Sequence, residues 1–278
     1  NKRIIDYFIF LYFVIVLLSV PLIGSDLYFK GITNQSMVLA PITSICIIWL
    51  VSYTWILLRN SKLIKKLFYL LLLSICIITL IATASRSAIV ACLISLLFYL
   101  FSTSKNLGKF LQYFFIFAVI IGLSYPLWKG QMRGIIIKME IQENMEGDNS
   151  RTNMWKSRIE EFKSSPLIGI GFSRVFENSA GYRSSIDSVE LGSAWLGLMS
   201  QTGILGLLCF LSMFISIFTK LWKIKNNDSS RLFLLTLIIF FSCHMIFEGY
   251  ILAAGSILSV FFWLALGLSY NYVTFNNK

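Results

Sequence analysis

The chain has 278 residues, of which 57% are hydrophobic, 15% aromatic and only 13% charged, and its mean hydropathy is +0.76. Soluble domains carry about a quarter charged residues, so this composition excludes a water-soluble globule and indicates a protein that crosses a membrane many times. The net charge of +11 does not indicate a nucleic-acid partner, because the basic residues separate apolar runs and do not gather on one soluble face.

Several apolar runs are long enough to cross a hydrocarbon core of about 30 Å, which takes roughly 20 helical residues. Helices are required, because a backbone in lipid must satisfy its own hydrogen bonds and the runs are too long for the strands of a barrel. The predicted fold is therefore all-α, a polytopic membrane helix bundle. Eight spans are predicted, at residues 5–23, 37–58, 67–84, 87–103, 110–128, 191–219, 232–253 and 255–272.

The third and fourth predicted spans form a hairpin. Between Leu67 and Thr103 the only charged residue is Arg86, and one helix of this length would run about 55 Å. This exceeds the membrane thickness, so the chain has to turn, and residues 84–87 provide the only polar interruption. Arg86 is therefore expected at a tight turn on one membrane surface.

The distribution of basic residues predicts that both termini are cytoplasmic. In the countable loops, thirteen Lys and Arg lie on one side and two on the other, and the basic side faces the cytoplasm. Segment 129–190 is exempt, since loops longer than about 60 residues translocate largely regardless of charge. We expect five helices over 1–128, an outward-facing loop over 129–190 that contains short helices and caps the site, and three helices over 191–278.

Within the exported loop, residues 151–164 are predicted to form a short helix that ends before Pro166. One face of this helix is apolar and suits the membrane interface; it carries Trp155, Ile159 and Phe162. Arg151 and Arg158 are one heptad apart and share another face, for which a solvated charged surface is the plainer interpretation.

Glycines mark two segments where the backbone is predicted to make close contacts. Gly169 and Gly171 follow the helix stop without the third glycine or the preceding strand of a dinucleotide-binding motif, so they indicate a tight backbone approach. Gly203 and Gly206 lie in the sixth span, where small residues favour close helix packing over a substrate role.

Two titratable side chains, His244 and Glu248, lie within a predicted span, four residues apart and therefore on one helical face. Charge in lipid is costly, so such residues normally face the protein interior and mark function; a His–Glu hydrogen bond that fixes helix packing is the alternative.

Arg86 is expected at a similar height in the membrane. A guanidinium binds phosphate through parallel hydrogen bonds, and a carboxylate can deprotonate a hydroxyl, which suits glycosyl transfer from a lipid diphosphate. No metal-ligand spacing is present, so no metal or other cofactor is expected.

Short motifs follow one another along most of the chain, around the long predicted loop. They are residues 31–34 (Gly-Ile-Thr-Asn), 84–88 (Ala-Ser-Arg-Ser-Ala), 151–155 (Arg-Thr-Asn-Met-Trp), 166–171 (Pro-Leu-Ile-Gly-Ile-Gly), 194–196 (Ala-Trp-Leu), 201–206 (Gln-Thr-Gly-Ile-Leu-Gly) and 247–249 (Phe-Glu-Gly). In this order they resemble the C-terminal module of the O-antigen ligase and polymerase superfamily of bacterial envelope polysaccharide enzymes.

The resemblance implies a glycosyltransferase of the bacterial inner membrane that needs no metal. It would pass a glycan from an undecaprenyl-diphosphate donor to a sugar hydroxyl, usually with inversion. Arg86 and Arg151 match family arginines that engage the diphosphate. Ligases typically carry a loop histidine where this chain has Gly192 and Ser193, which favours a polymerase. Members usually have ten or more spans, so we expect further N-terminal helices to be missing.

The sequence thus predicts a polysaccharide polymerase that acts at the outer leaflet on lipid-linked oligosaccharide repeat units. Its partners would be the donor, a glycan acceptor, the lipid bilayer and envelope polysaccharide assembly proteins. Ligase-type transfer of a finished glycan, a transporter or flippase for lipid-linked glycans, and a structural assembly partner remain alternatives. The expected site comprises Arg86, Arg151, Arg174 and Arg183 for the diphosphate, Glu248 as the leading base with Asp187 and Glu190 behind it, and His244 in support.

Overall fold

The computed structural model describes most of the chain and is almost entirely helical where it does so. The described residues are 2–24, 29–58, 62–104, 106, 108–112, 115, 122, 136, 150–172, 174–176, 182–183, 188–224, 228–253 and 255–276. Its main helices are α1 (Lys2–Ser19), α2 (Ser36–Leu58), α3 (Leu63–Ala82), α4 (Arg86–Thr103), α5 (Ser150–Ser164), α6 (Ala194–Lys223), α7 (Ser229–His244) and α8 (Ile257–Asn276).

Short elements complete the described part. Single 3₁₀ turns follow α1 and precede α8, at Val20–Leu22 and Tyr250–Leu252. A small antiparallel ladder joins β1 (Tyr182–Arg183) to β2 (Ser188–Val189), with Tyr182 opposite Val189.

In the part of the chain that the structure describes, six helices are long and apolar enough to cross a membrane. They are α1, α2, α3, α4, α6 and α8, and they confirm six of the predicted spans. The predicted span 110–128 lies almost wholly outside the described residues. The all-helical membrane fold that the composition indicates is confirmed.

The contacts group the chain into two compact units. The first unit contains Asn1–Glu140 and Ile224–Phe240, and the second contains Ile141–Lys223 and Phe241–Lys278.

Helix α2 is the centre of the first unit, where it contacts α1, α3 and α4. Nearly every side chain between Leu39 and Leu50 is buried. A helix that is apolar on all sides belongs in a core, which explains why α2 is surrounded by the other helices of its unit.

The predicted hairpin of the third and fourth spans is confirmed. Helix α3 ends at Ala82 and α4 begins at Arg86. The turn between them is tight, since Ala84 takes a positive φ of 51°. The hydroxyl of Thr83 donates a hydrogen bond to the carbonyl of Leu80 at 2.6 Å and so satisfies a carbonyl at the end of α3.

In the second unit, α6 packs against both α5 and α8. Aromatic side chains join α6 to α8, with the Phe214 and Phe262 rings stacked at a centroid distance of 6.4 Å. Trp195 fixes the start of α6 by donating from Nε1 to the carbonyl of Ser242 at 3.2 Å.

Helix α6 is interrupted at Gly203, whose φ of 66° and ψ of −171° are not helical. The close contact predicted for Gly203 exists, but its partner is the loop that follows α5 and not another helix. A Cβ at Gly203 would clash with the carbonyl oxygen of Leu167, and one at Gly169 would clash with the backbone of Gln201. The tight backbone approach predicted for Gly169 is therefore confirmed.

Helix α5 ends where predicted and begins one residue earlier, at Ser150, but it buries a different face. Its fully or nearly fully buried side chains are Met154, Arg158 and Glu161, whereas Ile159 of the predicted apolar stripe is 38% exposed. The prediction of a solvated charged face is wrong for Arg158. Its charge is balanced by an ion pair with Glu161 inside the unit and not by contact with water.

Helix α7 ends at His244, where the sequence predicts a continuous span to residue 253. The chain turns there because the carbonyls of Met245 and Glu248 accept hydrogen bonds from the backbone N–H of Ala194, at 2.9 and 3.1 Å. His244 and Glu248 therefore do not share a helical face, and that prediction is wrong.

Candidate functional site

The candidate site is centred on an ion pair between two residues that the sequence singles out separately. Arg151 lies in the first turn of α5, and Glu248 lies in the turn that follows α7. Nη2 of Arg151 donates a hydrogen bond to Oε1 of Glu248 at 2.7 Å. The pair joins segments 97 residues apart in the chain.

The turn that carries Glu248 is held by the segment immediately before α6. Besides the two backbone bonds to Ala194, the hydroxyl of Ser193 lies 3.4 Å from the carbonyl oxygen of Met245. Gly249 has to be a glycine here, since a Cβ would lie 2.6 Å from the Cβ of Leu191. Glu248 is thus positioned by packing against the start of α6 and not by a helix of its own.

Aromatic side chains brace Arg151. Its guanidinium carbon lies 5.9 Å from the centre of the Phe247 ring, a distance at which a cation is attracted to an aromatic face. The Phe247 ring in turn packs against Trp155 at 6.2 Å. Trp155 donates from Nε1 to the carbonyl of Gly192 at 3.1 Å, so a group of the protein satisfies its polar atom.

The pair is only partly shielded. The Arg151 side chain is 34% exposed and that of Glu248 is 14% exposed. A guanidinium carries five N–H donors, so Arg151 can bind an oxyanion in addition to the carboxylate. The arrangement offers a cationic anion-binding group and a proton acceptor side by side, at a place that a polar ligand can reach.

Arg86 belongs to the first unit, at the start of α4. It is exposed, and the neighbouring motif around Gly31 lies at the same end of the unit, because Phe29 packs with Leu39 and Ala82. Gly31 has a positive φ of 56°, and a Cβ there would clash with the side chain of Ser19. The meeting of Arg86 with Glu248, which the sequence predicts, stays a prediction.

The structure describes the remaining predicted site residues to different extents. Arg174 is exposed, and its carbonyl oxygen lies 3.4 Å from Nε2 of Gln201. Glu190 is exposed just before the segment that leads into α6. Arg183 lies in β1, and its side chain is outside the described part of the chain, as is the whole of Asp187.

His244, the predicted supporting residue, is the last residue of α7 and is buried. Its Nδ1 lies 3.3 Å from the hydroxyl of Tyr250, and the two rings pack at 5.5 Å. This contact joins the residues on either side of the turn that carries Glu248.

The second unit also contains a buried ion pair between Arg158 and Glu161, which the sequence analysis does not predict. The side chains are 0% exposed, and Nη2 of Arg158 donates to Oε1 of Glu161 at 2.8 Å. The same carboxylate oxygen accepts the backbone N–H of Phe176 at 3.1 Å, so the pair anchors the loop that follows α5. Burial lowers the pKa of the Arg158 guanidinium from its ordinary value, and the negative charge of Glu161 opposes this shift. The spacing of three residues on a helix was the available signal.

Among the residues that the structure describes, no group of three or more His, Cys, Asp or Glu side chains could hold a metal ion. All five cysteines are described and are free thiols; Cys46, Cys76 and Cys92 are buried, whereas Cys209 is exposed and Cys243 is half-buried.

Comparison with known protein families finds one that covers more than half of the chain. Residues 68–211 match the family model described as O-antigen ligase. The match includes the hairpin with Arg86, all of α5, the loop after it and the first part of α6. A comparison with curated proteins finds no match.

Proposed function

The chain belongs to the O-antigen ligase family, a family of membrane glycosyl-transferring enzymes, and on this premise we propose a reaction for it. The donor is an undecaprenyl-diphosphate-linked oligosaccharide, and the acceptor is a sugar hydroxyl on a second glycan. The product is surface polysaccharide extended by one repeat unit at the outer leaflet. The observation that carries the proposal is the partly exposed Arg151–Glu248 pair.

In the proposed reaction, arginines hold the diphosphate of the donor. Arg151 already offers its guanidinium to an anion, since it binds the Glu248 carboxylate at 2.7 Å. Planar guanidinium groups match phosphate oxygens in two-point hydrogen bonding. Arg86 supplies a second guanidinium at the exposed start of α4, and Arg174 and Arg183 assist. These groups also stabilise the charge that develops on the departing diphosphate.

Glu248 is the proposed general base. The acceptor hydroxyl gives its proton to the Glu248 carboxylate as its oxygen forms a bond to the anomeric carbon of the donor sugar. The bond from that carbon to the diphosphate oxygen breaks, and undecaprenyl diphosphate leaves with the electron pair. Attack from the face opposite the leaving group inverts the anomeric configuration. Asp187 and Glu190 are the alternative bases, and the residues named here need no metal for this step.

The glycan that is transferred distinguishes two candidates, a polymerase that joins repeat units and a ligase that passes on a finished glycan. The segment before α6 has Gly192 and Ser193 where ligases of the family typically carry a loop histidine, and this departure favours a polymerase. The family description, O-antigen ligase, favours the second candidate, which passes a finished glycan to its acceptor. Both candidates use the same arginines and the same carboxylate.

The site is proposed to face the outside of the bacterial inner membrane. The excess of Lys and Arg in the short loops favours cytoplasmic termini, which leaves the loop containing α5 on the outer surface. A lipid-linked donor would reach Arg151 there with its prenyl tail still in the bilayer.

The proposal is tested with purified protein in liposomes that contain undecaprenyl-diphosphate-linked repeat units. We expect the wild-type chain to lengthen the glycan, and we expect Arg86→Ala, Arg151→Ala and Glu248→Gln to abolish lengthening while they leave the protein in the membrane. Lys156→Ala is the matched control, because Lys156 is an exposed cation on α5. Normal product lengths from Arg86→Ala would remove Arg86 from the reaction.

A deletion strain separates the two candidates. Surface glycan capped with single repeat units would establish a polymerase. Lipid-linked polymer that accumulates without being attached would establish a ligase. Movement of labelled lipid-linked sugar across the liposome bilayer without joining of units would instead establish a transporter.

A further inference from the structure

The loop between α5 and the small β-ladder presents large apolar side chains. Leu167, Ile168 and Phe172 are 64%, 71% and 61% exposed. Soluble protein surfaces rarely group apolar residues of this size unless the patch binds something. We refer to residues 166–172 as the insertion loop.

The insertion loop is hydrogen-bonded to α6 at its break. Gly203 leaves backbone groups on both sides of the break without their usual helical partners, and the loop supplies partners for four of them. The bonds run from Ile170 N to Ser200 O at 3.0 Å, Gly171 N to Gln201 O at 3.1 Å, Ile204 N to Pro166 O at 2.9 Å and Leu205 N to Leu167 O at 3.3 Å.

These bonds fix the depth of the loop, because α6 is a candidate membrane span. The basic end of α6 lies at Lys220 and Lys223. Leu205 lies about 22 Å from Lys220 along the helix, and the hydrocarbon core is about 30 Å thick. With Lys220 at one edge of the core, Leu205 falls inside it, and so does Leu167, which is hydrogen-bonded to Leu205.

The exposed side of α6 next to the loop is apolar. Leu205, Leu208 and Ile215 are 55%, 54% and 54% exposed, whereas Phe210 and Phe214 on the other side are buried. A membrane helix shows this pattern where one side faces lipid and the other faces protein. The exposed apolar side chains of the insertion loop continue this lipid-facing surface.

We propose that residues 166–172 form a re-entrant loop that enters the hydrocarbon core beside α6 and contacts the acyl chains of the bilayer. Irregular backbone at membrane depth has to be packed against protein that supplies partners for its polar groups, and α6 does this for Pro166, Leu167, Ile170 and Gly171. The occupant of the exposed patch is therefore lipid and not a second protein.

The proposal is tested with a nitroxide spin label on the full-length chain in liposomes of phosphatidylcholine and phosphatidylglycerol. The label is attached to Ile168→Cys in a background in which Cys209 and Cys243 are replaced by serine. Leu208→Cys is the lipid-facing control and Lys156→Cys the water-facing control. Collisions of the label with oxygen, which concentrates in hydrocarbon, are compared with collisions with a water-soluble nickel chelate.

We expect the label at residue 168 to collide more with oxygen than with the nickel chelate, as at residue 208. A preference for the nickel chelate equal to that at residue 156 would place the loop in water and overturn the proposal. Low accessibility to both reagents would mean that protein covers the patch, and this would also overturn it. If Ile168→Cys does not insert stably, Leu167→Cys provides the same comparison.

Discussion

Arg151 and Glu248 illustrate what single residues reveal before a structure is known. An ionisable side chain in an apolar run is conspicuous, so Glu248 was predictable as a functional candidate. Its partner was not, because the sequence pointed to His244 on the same helix and to Arg86. The 97-residue separation between Arg151 and Glu248 is bridged only by tertiary packing, which no local pattern encodes.

A charge swap tests whether the Arg151–Glu248 pair serves chemistry or only packing. The double variant Arg151→Glu with Glu248→Arg keeps an ion pair but moves the guanidinium away from the proposed diphosphate position. We expect glycan lengthening to fall by about 100-fold or more, as when one donor to a developing charge is removed. The measurement is the rate of lengthening in liposomes.

The control for the single variant Arg151→Glu is Lys156→Glu, which makes the same change of charge elsewhere on α5 and should retain activity. If the swapped pair restored the rate lost in either single variant, the pair would be purely structural.

Arg158 is a residue whose burial the sequence did not predict. A basic residue on a loop helix is usually solvated, yet Arg158 is 0% exposed because Glu161 lies one helical turn away and neutralises it. We expect Arg158→Met to destabilise the protein by about 3–5 kcal/mol, because Glu161 would keep a buried charge without its counter-ion. Unfolding in detergent, followed by circular dichroism, measures this change.

Lys156→Met, on the exposed side of the same helix, should change the free energy of unfolding by no more than about 0.5 kcal/mol. Pairing Arg158→Met with Glu161→Leu should recover part of the loss, since both charges then disappear together. Equal unfolding curves for Arg158→Met and Lys156→Met would contradict the buried ion pair.

At the scale of elements, length and polarity predict most of what the structure describes. Six spans and the hairpin at Arg86 follow from run lengths and from one polar interruption. The end of α7 does not follow, because the apolar run continues beyond His244 and gives no local stop signal. The helix ends there through hydrogen bonds from Ala194, a tertiary effect that overrides the local preference.

The break in α6 makes Gly203 the most constrained glycine in that helix. We expect Gly203→Ala to cost about 1–3 kcal/mol from backbone strain alone, with a further loss because its Cβ would clash with the carbonyl of Leu167. The thermal midpoint in detergent reports the change.

Gly267→Ala in α8 is the matched control, since a Cβ there would meet nothing within 4 Å. It should be neutral or stabilising by up to about 1 kcal/mol, the helix preference of alanine over glycine. A thermal midpoint for Gly203→Ala no lower than that for Gly267→Ala would argue against the break.

At the scale of the whole molecule, the positive-inside pattern predicts which side of the membrane each segment occupies. We expect a membrane-impermeant maleimide added to intact spheroplasts to label Lys156→Cys but not Lys62→Cys, in a background with Cys209 and Cys243 replaced by serine. Permeabilised spheroplasts should show labelling at both positions. Labelling of Lys62→Cys from outside would reverse the orientation and remove the outer-leaflet site.

The bonds between residues 166–171 and α6 also set an order of events during biosynthesis. The loop leaves the ribosome before α6 has been made, and its four backbone partners exist only once that helix has formed with its break at Gly203. The loop therefore cannot dock until α6 has been inserted into the bilayer. Docking of the loop is consequently a late step in the maturation of this part of the nascent chain.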